Sequence, residues 1–163
     1  MSHSPTSQIG PAAETEAELA LAFLAQFRAF ERALQKAGFR KSGCPHRQGL
    51  PDWEGFARHI ERKFQPQGSP AVQAAIAYLL GISVRRLDDR ELSQMYPAER
   101  RFHESDIVWL AMVIRAAGHR LSAGLASASG RECAMGIQSA CFMVLESWAA
   151  CEPSVGELLR KAR

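Results

Sequence analysis

Between Glu14 and Gly38 the apolar positions recur with the period of a helix. Phe23, Phe27, Phe30 and Leu34 step by four, three and four, which places them on one buried stripe. Acids stand in the first turns, Lys36 stands in the last, and Gly38 follows where a C-cap belongs. The pattern predicts a long amphipathic helix ending near Gly38. A Gly- and Pro-rich stretch, "RKSGCPHRQGLP", reads as a loop. Pro51 and Asp52 then open a second helix with Trp53, Phe56, Ile60 and Phe64 on its apolar face. After "QPQGS", Ser69 and Pro70 start a third, "PAVQAAIAYLLG", which Gly81 ends.

The second half is more apolar. A polar stretch is expected to hold a short helix around Leu87 to Met95. Ser105 and Asp106 are N-cap candidates for "IVWLAMVIRAAGHRL", which is apolar on more than one face and is expected near the centre of the fold. A small-residue loop, "SAGLASASGRE", leads to "ECAMGIQSACFMVLESWAAC", and Ser154 with Glu157 reads as a capping box for a last helix. No stretch alternates in the manner of a strand and no repeat period appears. The fold expected is all-α, a bundle of four to six helices around a long antiparallel pair. Residues 1–11 are rich in Ser, Pro and Gly and read as a disordered arm, so a single domain is expected over residues 12–163.

Composition narrows the classes of function. Lys and Arg exceed Asp and Glu by 20 to 17, giving a net charge of +3, well short of the field of a dedicated nucleic-acid binder. The positive side is almost all arginine, suited to bidentate phosphate or carboxylate contacts. The longest apolar runs are interrupted well before ~20 residues, so no membrane span is expected. The N-terminus lacks a basic start followed by an apolar core, and a cytoplasmic location with reduced cysteines is the expectation. Cys44 and His46 form the closest pair of soft ligands, with no second such pair, and Cys133 and Cys141 read as small residues on one helix face. No metal and no cofactor are expected. Phosphate-loop, dinucleotide and metalloprotease motifs are absent from the sequence. The carboxylates Glu14 and Glu18 share a helix face, but acids in first turns already favour the macrodipole.

Chemistry then rests on "VIRAAGHRLSAG". Arg115 and His119 lie four apart, on one face of a helix. Metal-free RNA cleavage needs a group to move the 2′-hydroxyl proton, a group to protonate the leaving oxygen, and a cation for the phosphorane charge. Histidine titrates near neutrality and arginine holds two phosphate oxygens at once. Such pairs also arise by chance in an arginine-rich chain, as Arg40 and His46 do in the loop. The plain alternative for His119 is a helix-end histidine beside unsatisfied carbonyls.

Three stretches together resemble the HEPN superfamily: "FLAQFRAFERALQKAGF", "PDWEGFA", and "VIRAAGHRLSAG" continued by "SACFMVLESWAACEPSV". The likeness spans most of residues 17–160. It implies a small all-α protein of the toxin–antitoxin or defence type that cuts RNA without metal, pairing two motifs across a homodimer. It also implies Arg115 and His119 as catalytic residues; Arg120 beside them is a candidate substrate-binding residue. The family motif has a polar residue such as Asn after the Arg, a longer spacing to the His, and Gly after it. Here Ala116 stands at the first position, only three residues intervene, and Arg120 replaces the Gly. One residue fewer turns the histidine by about 100°. Two alternatives stay open: a non-catalytic HEPN-like module that binds an antitoxin, another protein or a nucleic acid, and an unrelated helical interaction protein.

Overall fold

The computed structural model describes residues 16–41, 49–65, 69–81, 105–122 and 131–162. The N-terminal arm, the helix expected around Leu87 to Met95, the loop at 123–130, and Cys44 with His46 lie outside the described residues. Among those described, six helices and one minimal strand pair form an all-α fold. They are α1 (Glu16–Lys36), β1 (Arg40–Lys41), β2 (Leu50–Pro51), α2 (Trp53–Ile60), α3 (Pro70–Leu80), α4 (Asp106–Ser122), α5 (Arg131–Cys151) and α6 (Pro153–Lys161). No helix among the described residues is long and apolar enough to cross a membrane.

Helix ends follow local chemistry. Gly38 takes a positive φ of 97°, which spares a side chain the left-handed penalty. The Phe39 amide donates to Leu34 O at 2.9 Å and the Gly38 amide to Gln35 O at 3.3 Å, the two bonds of a Schellman end. The chain leaves α1 directly into β1, whose Arg40 and Lys41 pair antiparallel with Pro51 and Leu50. Two residues per strand are too few to alternate visibly, so this ribbon falls within what the sequence presents as loop. Asp52 accepts from the Gly55 amide at 3.0 Å and starts α2. Ser69 accepts from Val72 N to start α3, and Ser105 accepts from Val108 N to start α4.

The capping box expected at Ser154 does not form. The N-cap of α6 is Glu152, with Pro153 in the first helical position and no side-chain cap bond. Proline has its φ pre-set for that position, so the helix begins there. Ser154 therefore lies inside the first turn and donates instead to Glu152 Oε1 at 2.9 Å.

The core is aromatic. Phe27 and Phe30 stack on Trp53 with centroids 5.6 and 5.3 Å apart, and Phe30, Phe56 and Trp148 continue edge to face. All five rings are buried. Helix α1 lies between α4 and α5, α2 packs on α4, and α3 packs most extensively on α5. Tyr78 faces Gly136, while Val72 shares a groove with Ser139 and Ser147, so α3 and α5 run antiparallel. Helices α4 and α5 touch each other only along a short seam. The apolar faces of α4 explain this: they are taken up by α2, α1 and α3.

Candidate active site

The site begins with a glycine. Gly118 of α4 is buried against the ring of Phe27, and a Cβ there would overlap three of the ring atoms. Without a side chain at 118, α4 comes close enough to α1 to set its next residue, His119, over Phe27. The two rings meet edge to face with centroids 5.7 Å apart. One turn along α1 from Phe27 stands Glu31, whose Oε1 lies 3.6 Å from His119 Nε2. The same oxygen accepts a 2.9 Å hydrogen bond from Trp53 Nε1, at the first residue of α2.

Glu31 is mostly enclosed, with its side chain 23% exposed. Burial acts to raise its carboxyl, but His119 and Trp53 outweigh that effect, with the positive charge of Arg115 behind them. The group is held below the usual carboxylate range. Arg115 and His119 are thus brought together around one carboxylate, both half-buried. The Nε of Arg115 is shielded from solvent. Arg120 is half-buried, about 100° further round α4 than His119.

Glu31 is the residue the sequence does not single out. The available signal was a lone acid four residues past Phe27, on the edge of an otherwise apolar stripe. The carboxylate faces Nε2 of the imidazole and orients the ring. A half-buried acid orienting a histidine, beside an arginine, is suited to proton transfer at a phosphodiester.

A second polar cluster lies where α2 meets α6. Glu152 Oε2 is 2.8 Å from His59 Nε2 and 3.1 Å from Lys63 Nζ. Burial again acts to raise the carboxyl, and the hydrogen bonds from Ser154, Lys63 and His59 overcome it, bringing it down to about 2. Ser154 is bonded to the carboxylate and not to the histidine, so no nucleophile is paired with a base here. The cluster fastens α2 to the α5–α6 corner. A shallow, mostly apolar groove on another side of α1 is lined by Leu19, Val72, Phe142 and Met143, with Ser139, Ser147 and Glu146 beside them, and Glu146 Oε1 accepts from Gln26 Nε2 at 3.0 Å.

Compared with known proteins, the chain matches no family model, no curated protein and no solved structure.

Proposed function

We propose that this chain is a HEPN-like helical protein of toxin–antitoxin or defence type, acting in the cytoplasm as a homodimer that cuts RNA without metal. One observation supports this reading above others. The three stretches that carry the resemblance contribute Glu31, Trp53 and His119, and these meet at a single carboxylate oxygen.

In this mechanism His119 takes the 2′-hydroxyl proton as that oxygen attacks phosphorus. The bond to the 5′-oxygen breaks, and the histidine of the second copy returns a proton to it. The products are a 2′,3′-cyclic phosphate and a 5′-hydroxyl. Arg115 stabilises the pentacoordinate phosphate, Arg120 holds a neighbouring phosphate, and Glu31 keeps the imidazole oriented. Removing the proton-transfer group lowers the rate by about two to four powers of ten, roughly 3–5 kcal/mol of barrier.

The test is RNA cleavage in EDTA by wild type, Arg115→Ala, His119→Ala and Glu31→Gln, with light scattering on the same samples. Cleavage that survives in both the Arg115 and His119 variants would refute the assignment, and an 18.0 kDa particle at micromolar concentration would refute the dimer. A second reading, the non-catalytic module that binds a protein or nucleic-acid partner, is favoured by Ala116 and by the short spacing from Arg115 to His119. The short seam between α4 and α5 weighs in turn toward an unrelated helical interaction protein. No cleavage of any of several RNAs by wild type would remove the nuclease reading and leave these two.

A further inference from the structure

The C-terminal half of α1 carries Arg28, Arg32 and Lys36 at four-residue intervals, and all three are exposed. On a helix this spacing makes one stripe, with neighbours about 6 Å apart along the axis. Arg40 and Lys41, exposed on β1, extend it beyond the helix end. None of these five cations has a carboxylate within ion-pair distance among the described residues. Elsewhere among the described residues some exposed cations are paired and others, such as Arg62, Arg160 and Lys161, are not. Arg58 of α2 is paired with Glu54, and Lys63 with Glu152.

A row of charges is often no more than a solvated face, but this row carries an electrostatic cost. Like charges four apart on a helix repel and weaken it. The macrodipole compensates within the last turn, which covers Lys36 but not Arg28. Arg28 also stands one turn before Glu31 on α1, so the stripe begins beside the Arg115–His119 site and leads away from it. Its step matches the separation of successive phosphates along an extended single strand.

We infer that Arg28, Arg32 and Lys36 form a track for the phosphates of single-stranded RNA, delivering the strand to the site at Glu31, Arg115 and His119. This rests on the nuclease reading for what happens to the strand, but not for the binding itself. The contacts are with the backbone, so binding is sequence-tolerant and strongly salt-dependent.

Binding is read by fluorescence anisotropy on a labelled single-stranded RNA of about 16 nucleotides. The His119→Ala background in EDTA keeps the probe intact. Replacing Arg28, Arg32 and Lys36 together by Gln is expected to weaken binding roughly tenfold or more at low salt. It should make the slope of log affinity against log salt less negative by about 2, three contacts at about 0.7 each. Thermal stability should be unchanged or slightly higher, because repulsion is relieved. Replacing Arg160 and Lys161, exposed at the far end of α6, by Gln is the control and should leave the slope unaltered. Equal losses from both sets would reduce the effect to net charge and overturn the track, as would no binding by the His119→Ala protein. Stripe-dependent binding with no cleavage by wild type would support the track and remove the nuclease. Cleavage whose KM ignores the stripe would do the reverse.

Discussion

Adding one methyl group to each of two helical glycines should have opposite effects. In the interior of a helix, Gly→Ala contributes about 1 kcal/mol of stability where the new methyl has room. At Gly136 of α5 the nearest neighbour is the hydroxyl of Tyr78, at 2.8 Å from the new Cβ. That side chain is 42% exposed and can swing aside, so most of the gain survives. At Gly118 the neighbour is the ring of Phe27, 1% exposed and stacked on Trp53. The ring cannot retreat without disturbing Trp53, and overpacking of this kind costs about 1–3 kcal/mol, sometimes more. The net for Gly118→Ala is a destabilisation of up to about 2 kcal/mol. For a chain of this length that lowers Tm by up to about 8 °C, while Gly136→Ala raises it by up to about 4 °C. Differential scanning calorimetry of the two single variants measures both. If Gly118→Ala raised Tm as much as Gly136→Ala, the close seating of α4 on α1, and the placement of His119 that depends on it, would be refuted.

Other expectations follow from the carboxylates, the indole and the thiols. The Glu152 carboxyl is depressed from 4.5 to about 2 in the folded chain, so its contribution is complete above 4.5 and disappears as pH falls toward 2. Glu152→Gln should therefore cost about 1–3 kcal/mol at neutral pH, and urea titrations should find the gap to wild type closing over that acid window; a gap independent of pH contradicts the assignment. Trp53→Phe keeps a ring between Phe27 and Phe30 but deprives Glu31 of its donor, with an expected loss of about 2–3 kcal/mol in chemical denaturation and a Glu31 carboxyl that titrates at higher pH. In a background with Cys44 and Cys133 replaced by Ser, native-state thiol labelling should modify Cys151 first. Cys141, fully buried and with its thiol pushed far up by burial, should react only on unfolding.

What the chain discloses in advance is what is written locally. The phenylalanine stripe of α1, the starts of α2, α3 and α4 at Asp52, Ser69 and Ser105, and the ends at Gly38 and Gly81 each depend on a few neighbouring residues. At α6 two local signals compete, and Pro153 prevails over the Ser154–Glu157 pattern because its ring fixes the first helical φ. The β1–β2 ribbon is too short to leave a period. That Arg115 and His119 share one face of a helix is legible from their spacing. Glu31 is not, because its role depends on how near α4 approaches α1. That approach is set by Gly118, which in sequence looks only like a weak point in a helix.

The bond from the Trp53 indole to Glu31 gives the molecule an optical reporter of its own. An indole whose N–H points at a carboxylate senses that group's charge, so its emission changes when Glu31 gains a proton or when the carboxylate turns toward another partner. Trp148 is fully buried, and its Nε1 has no hydrogen-bond partner among the described residues, so it supplies a constant apolar background. With Trp109 and Trp148 replaced by Phe, the remaining fluorescence would follow the state of the Glu31–His119 pair directly. Occupancy of the site by a ligand could then be watched in real time on the unlabelled chain.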